Sequence, residues 1–261
     1  YALSKHLESR TRGLSQALDN VGTAKNVLNI AEGGYQSQMS ILQTIKEKMT
    51  QAADGSFSDA QRGAIGDQVE ALLKEFDDIN STTKFNDNQL MGSGYTDDGA
   101  GTITVGADEN MVFQVGEGKD DQLDVKFDNS TSYSVGEGMN GSVVNIHDIK
   151  NHGAGGSASP LTWSTLDQSA AVKGIEVLDD AIKSLAKSIQ SVGDYNARLS
   201  SKEESLSLAI SNTEATRSRI EDADFAKEQM SMMKLQILQQ TSVSSFSQAN
   251  SAPQVVMSLF R

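Results

Sequence analysis

Three histidines, His6, His147 and His152, offer this 261-residue chain its imidazoles for metal or acid–base chemistry. His6 is followed by Leu7 and Glu8, which is not the His-Glu-x-x-His spacing that sets two imidazoles on one helix face around zinc. His147 and His152 flank Asp148 beside a glycine-rich loop and bring no third committed ligand, so they read as surface residues. The acidic pairs Asp97-Asp98, Asp108-Glu109 and Asp120-Asp121 lack the alternating register, central glycine and closing glutamate of a calcium loop, and read as solvated turns. Gly92-Ser93-Gly94 and the glycines at 153–156 have neither the preceding strand nor the following Lys-Ser/Thr of a phosphate loop. Cysteine is absent, which removes disulfides, thiolate ligands and thiol nucleophiles. No nucleophile, base and stabilising donors can be assembled into one centre, so the expectation is a protein without catalysis, cofactor or bound metal. Asn80-Ser81-Thr82 and Asn129-Ser130-Thr131 fit the N-glycosylation pattern, which is frequent by chance.

Charge narrows the partners. Lys and Arg number 22 against 35 Asp and Glu, a net charge of −13, which disfavours nucleic acid and anionic membrane surfaces. The apolar runs are only a few residues long, far short of the roughly 20 needed to span a bilayer. No charged-then-apolar leader opens the sequence, and it starts at Tyr1 rather than Met, so the expectation is that the natural N-terminus was either removed or lies outside these residues.

The elements come next. Leu7, Leu14, Val21, Leu28, Tyr35, Leu42 and Met49 recur at a seven-residue step. Three positions after each lies a second seam of Arg10, Ala17, Ala24, Ala31, Gln38, Ile45 and Ala52, mostly small residues that permit close helix approach. Gly33-Gly34 interrupts helix propensity, so one helix is expected there, bent or in close backbone contact. Asp54-Gly55 ends it, Ser58 and Gln61 form a capping-box pattern, and Ile65, Val69, Leu72, Phe76 and Ile79 mark a second amphipathic helix of a hairpin. From about residue 166 the heptad returns in Ala171, Leu178, Leu185, Val192, Leu199 and Leu206, with Ile175, Ile182 and Ile189 as its companion seam. Only two prolines occur, at 160 and 253, so both flanks are free to form long helices.

Between the flanks, Gly, Asp and Ser become abundant, and Leu123, Val125 and Phe127 alternate with Asp124, Lys126 and Asp128 as in a half-buried strand. Residues 102–105, 111–115 and 143–149 are weaker strand candidates, with turns at Gly106 and Gly116-Glu117-Gly118. The expected fold is mainly α: an elongated antiparallel helical bundle or coiled-coil rod with a small inserted β segment. It divides into N-terminal rod helices at 1–95, a surface-exposed β and turn-rich segment at 96–160, a long C-terminal rod helix at 161–223, and a terminal segment at 224–261. In that last segment Phe225, Met230, Met233, Ile237, Leu238, Val243 and Phe246 stand among Gln, Ser and Lys without an evident internal partner. The expectation is a tail disordered in a lone molecule and ready to bind a partner.

Several stretches resemble bacterial flagellins. On the N-terminal flank these are Arg12-Gly13-Leu14-Ser15-Gln16-Ala17, Ala31-Glu32-Gly33, Gln51-Ala52-Ala53-Asp54-Gly55 and Thr83-Lys84-Phe85-Asn86. On the C-terminal flank they are Ser218-Arg219-Ile220-Glu221-Asp222-Ala223-Asp224-Phe225-Ala226, Gln236-Ile237-Leu238-Gln239-Gln240 and Ser258-Leu259-Phe260-Arg261. Phe113-Gln114-Val115-Gly116 resembles the short β piece of the same family. The resemblance covers residues 1–95 and 110–261, and family members usually carry a further terminal helix before this start.

The resemblance implies a structural subunit of the flagellar filament, polymerising with its own copies for motility, secreted and extracellular. It also implies unfolded export, an export chaperone on the tail, and contacts with filament cap and junction proteins. Gln43, Thr44, Ile45, Glu47 and Lys48 align with a stretch that an animal innate immune receptor recognises in many flagellins. Thr44 and Lys48 replace the usual arginine and leucine, and weak recognition is expected because lysine would place a strongly hydrated charge at an apolar contact. Two alternatives share the helical ends: a hook–filament junction protein, and a flagellin-like glycan-binding adhesin. The second is disfavoured by the single Trp163 and few other aromatic rings for sugar stacking.

Overall fold

The computed structural model describes residues 2–97, 103–135 and 166–259, and side-chain burial for most of these up to residue 249. Helix α1 runs Ala2–Ala52, helix α2 Asp59–Thr82 and helix α3 Gln168–Leu259. Six short strands lie between α2 and α3: β1 Lys84–Phe85, β2 Asn88–Gln89, β3 Tyr95–Asp97, β4 Ile103–Val105, β5 Glu109–Gln114 and β6 Gln122–Phe127. They form three separate two-stranded antiparallel pairs, β1 with β2, β3 with β4, and β5 with β6. Strands therefore begin at Lys84, inside the stretch read from sequence as helical, while the strand candidate at 143–149, His147, His152, Trp163 and the glycines at 153–156 lie outside the described residues. Two compact units emerge, one of Gln16–Ser205 and one of Tyr1–Ser15 with Leu206–Arg261.

In the unit Gln16–Ser205 the two long helices are antiparallel. Lys25 donates to Glu203 at 2.7 Å, Asn196 to Asn29 at 3.2 Å, and Lys46 is ion-paired with Asp179, so partners descend along α3 as they ascend along α1. Heptad positions Val21, Leu28, Tyr35, Leu42 and Met49 are buried on α1, and Leu178, Leu185, Val192 and Leu199 on α3. The companion seam on α3 differs from the isoleucine reading. Gly174, Ala181 and Ser188 are buried, whereas Ile175, Ile182 and Ile189 are only half-buried. Small residues three positions after the leucines let the helices approach, and the isoleucines flank that contact.

Helix α1 continues through Gly33-Gly34, because the close-contact role falls to Gly34 alone. A Cβ at Gly34 would lie 2.5 Å from Met91 Sδ and 2.9 Å from Thr83 Oγ1, whereas nothing lies within 4 Å of one at Gly33. The turn to α2 is built from Asp54, whose side chain accepts from Ser56 N at 2.8 Å, and Ser58, which closes a full capping box with Gln61. Helix α2 buries Ile65, Val69, Leu73 and Phe76, and leaves Leu72 and Ile79 half-buried.

The hairpin β1–β2 turns on Asn86 and Asp87, both with positive φ (47° and 65°), the primed geometry that suits a two-residue loop. Strand β6 buries alternate residues Leu123, Val125 and Phe127, matching its sequence alternation. Its connection from β5 is tightened by Gln114, whose amide donates to Gly116 O at 2.9 Å and Gly118 O at 2.6 Å.

In the other unit, Ser4 donates to Glu221 at 2.6 Å, and Leu14, Leu206 and Thr213 are buried. Leu7 is half-buried and Arg10 is exposed. Helix α3 then runs on to Leu259, so the segment read as a disordered tail is helical here. The stretch before Pro253 holds no glycine after Gly193, leaving nothing in the sequence to break it.

Candidate assembly surfaces

The described residues contain no group of three or more His, Cys, Asp or Glu able to hold a metal ion, and no helix long and apolar enough to cross a membrane. The features that stand out are a polar clasp inside the body and an apolar surface outside it.

The clasp joins α1, α2 and the strand region in the unit Gln16–Ser205. Gln38 is fully buried, and its amide donates to Phe76 O and Ser130 O, both at 2.9 Å. Tyr35 donates to Asp128 O at 2.9 Å, and burial pushes its phenol well above the ordinary tyrosine range. Asp77 accepts from Ser132 N and Ser132 Oγ, both at 2.7 Å. Burial raises its carboxyl above the usual range despite those two bonds. Ser188 on α3 donates to Asp128 Oδ2 at 2.8 Å. Each bond satisfies a buried polar group that would otherwise cost about 1–3 kcal/mol.

A second anchor holds the helical hairpin. Arg62 is buried and donates from Nε to Ala52 O at 2.9 Å and from Nη2 to Asp54 O at 2.8 Å, while Nη1 pairs with Asp59 at 3.1 Å. Ala52 O ends α1 and Asp54 O lies in the turn that follows, where Phe57 N also donates to it at 3.4 Å, and a planar guanidinium reaches both carbonyls. Gln168 adds a bond to Ala53 O at 3.0 Å.

Both N-glycosylation patterns fall within this framework. Asn80 is 1 % exposed, and its amide donates to Met91 O and to Ser130 Oγ. Asn129 is bound through Nδ2 to Gly94 O at 2.9 Å and Gly106 O at 2.8 Å. Both amide nitrogens are engaged in these hydrogen bonds, so neither is available to carry a sugar in the folded chain.

The stretch aligned with the receptor site lies on α1. Gln43 and Glu47 are exposed, Thr44 and Lys48 half-buried, and Ile45 buried. Gln43, Lys46, Glu47 and Thr50 line an open groove with Asp179 and Ile182 of α3.

The apolar surface belongs to α3 in the other unit. Every residue from 221 to 249 is exposed. Phe225, Met230, Met232, Met233, Leu235, Ile237, Leu238, Val243 and Phe246 are each between 51 and 74 % exposed. At 100° per residue, Phe225, Met232 and Val243 fall on one side, Leu235 and Phe246 beside them, Met230 and Ile237 nearly opposite, with Met233 and Leu238 filling the intervals. A helix apolar all round is one that neighbours surround on several sides. From residue 229 to residue 249 the only charged side chain is Lys234, so little opposes that covering.

The profile described as the bacterial flagellin N-terminal helical region matches residues 1–96, and the one described as the bacterial flagellin C-terminal helical region matches residues 175–260. A flagellar filament 33 kDa core protein of Treponema phagedenis is 32 % identical over 261 residues, covering 100 % of this chain and 84 % of that protein. A flagellin of Bacillus subtilis is 30 % identical over 263 residues, covering 100 % and 85 %. Among solved structures, a Vibrio parahaemolyticus chain described as flagellar hook-associated superposes with a TM-score of 0.66 at 15 % identity, covering 83 % of this chain and 95 % of that one. Bacillus cereus FlgL superposes at 0.56 and 17 % identity, covering 80 % and 97 %. At such identities these two likenesses speak to the fold alone.

Proposed function

The chain belongs to the bacterial flagellin family and is a structural subunit of the flagellar filament, and from that premise we propose that it meets its own copies chiefly through the exposed apolar shell of α3. The buried seams, Leu14, Val21, Leu28, Tyr35, Leu42 and Met49 with Leu178, Leu185, Val192, Leu199 and Leu206, hold the subunit itself together. The observation that carries this division is the ring of apolar side chains from Phe225 to Phe246, uncovered in the single chain and distributed round the whole helix. Leaving so much apolar surface in water is unfavourable at about 25 cal/mol per Å², and burial between subunits removes that cost.

The same surface suits an export chaperone that covers residues 224–261 before secretion, and contacts with cap and junction proteins at the filament ends. The finished subunit is extracellular, and its role involves no catalytic step. Gln43 and Glu47 remain accessible to an immune receptor, but Thr44 and Lys48 offer it neither a bidentate arginine nor an apolar anchor. Recognition is weak on this reading, and full potency in a receptor reporter assay would refute it.

Salt-induced assembly of the full-length chain, viewed by electron microscopy, tests the main reading. The wild type is expected to form filaments. A chain carrying Ile237→Ser and Phe246→Ser is expected to keep its circular dichroism spectrum and melting temperature yet form none. Filaments from that variant would overturn the assignment of α3.

A further inference from the structure

Met230, Met232 and Met233 occupy three of four consecutive positions on α3, at 62, 51 and 55 % exposure. Met49 and Met91, by contrast, are fully covered, and Met39 and Met111 are half-buried. Thioether oxidation follows access of the oxidant to sulfur, so among the methionines whose burial is described the cluster on α3 is the most accessible and Met49 and Met91 are the protected ones.

We propose that Met230, Met232 and Met233 form an oxidation site at which hydrogen peroxide, or another two-electron oxidant, converts the apolar surface of α3 into a polar one and switches off self-association of the free subunit. In the reaction a sulfur lone pair attacks one peroxide oxygen and the O–O bond breaks. An S–O bond forms, and the departing hydroxide takes the remaining proton to leave as water. Sulfur is oxidised by two electrons and the peroxide reduced by two, so no group on the protein has to supply either.

The placement decides the consequence. Met230 and Met233 are three apart and share a side with Ile237, while Met232 lies on the opposite side with Phe225 and Val243. Sulfoxides at all three therefore interrupt both apolar sides of the same turn. Each replaces a polarizable apolar side chain with a strongly polar one. Lys227, Glu228 and Lys234 bracket the cluster, and the sulfoxides would add polar groups among the apolar side chains between those charges. Met49 and Met91 are spared, because they are fully covered inside the packed unit Gln16–Ser205.

The effect on association rests on the function proposed above, whereas the pattern of oxidation does not. The full-length chain, as free subunit, is treated with hydrogen peroxide under native conditions, quenched with catalase and mapped by peptide mass spectrometry. Met230, Met232 and Met233 are expected to gain oxygen about tenfold faster than Met49 and Met91. Equal rates, or a cluster that stays reduced, would overturn the site.

In a second arm, oxidised wild type is expected to lose salt-induced assembly, and methionine sulfoxide reductases of both stereospecificities, supplied with a dithiol, to restore it. A Met230→Leu, Met232→Leu, Met233→Leu chain treated in the same way is expected to assemble as before. Normal assembly by oxidised wild type, or equal loss by the triple variant, would overturn the switch. Failure of untreated wild type to assemble would instead count against the proposed function, and the oxidation map would still decide the site.

Discussion

Helix α1 after Ser15 and helix α3 beyond residue 221 draw on similar apolar residues and use them in opposite ways. On α1 those residues return every seven positions, so they form one stripe, and one packed interior covers it. On α3 they occur at irregular steps of one, two, three and five residues, so they spread round the helix and no face of the chain's own core can cover them all. Spacing, more than hydrophobic content, separates surface meant for the inside of one molecule from surface meant for contact between molecules.

The comparison is broken most directly with matched phenylalanines. Phe76→Ala, at a fully buried site, is expected to cost about 3–5 kcal/mol in urea unfolding. Phe246→Ala, at a site 74 % exposed, is expected to stay within about 0.5 kcal/mol of wild type. Similar losses at both positions would erase the distinction between body and tail.

Arg62→Ala removes the side-chain donor from the carbonyls of Ala52 and Asp54, the second of which keeps Phe57 N, and about 1–3 kcal/mol of stability should disappear. Arg62→Lys should recover only part of it, since a point-like ammonium cannot serve both carbonyls and Asp59 together. Differential scanning calorimetry would read both variants.

The glycine pair sharpens the picture inside α1 itself. Gly34→Ala forces a methyl against Met91 and Thr83 and should cost about 1–3 kcal/mol. Gly33→Ala meets open space and should stabilise by about 0.5–1 kcal/mol through helix propensity. Thermal melts of the two variants should therefore move in opposite directions.

The smallest effect is electrostatic. The Lys126 ammonium beside Asp108, at 2.8 Å, holds that carboxyl below the usual range. A folded value below the unfolded one means that the contribution is present above the ordinary aspartate range and is lost as pH falls through the folded value. Both groups are more than a third exposed, so solvent screens the pair and the loss should be slight. Asp108→Asn should flatten the acid dependence of hydrogen exchange in the β5–β6 hairpin.

Much of the helical framework could be read because its signals are local. The seven-residue step of α1, the Asp54-Gly55 stop and the Ser58–Gln61 capping box each depend on residues close in sequence. What could not be read depends on partners far along the chain. Leu73 rather than Leu72 is the buried leucine of α2, and Gly174, Ala181 and Ser188 rather than the isoleucines complete the α3 seam. A heptad fixes the period of a stripe but not which neighbour leans inward until the opposing helix is placed. Arg62 resembled any surface arginine because its acceptors are backbone carbonyls, which sequence does not display. The buried state of Asn80 was hidden in the same way, since Met91 O and Ser130 Oγ reach it from later segments. The exposed apolar residues of α3 could be seen, but what they meet lies in other molecules.

Asn129 ties three separate pieces of chain with one side chain and one amide. It holds Gly94 O and Gly106 O through Nδ2, and Asp108 through its backbone nitrogen at 2.8 Å. A two-stranded ribbon alone is marginal in water, and both the β3–β4 and β5–β6 ribbons meet at this residue. Together with the backbone bonds from Ser93 to Ala107, Gly106 to Gly94 and Ser130 to Met91, this side chain should make the two ribbons gain or lose order together.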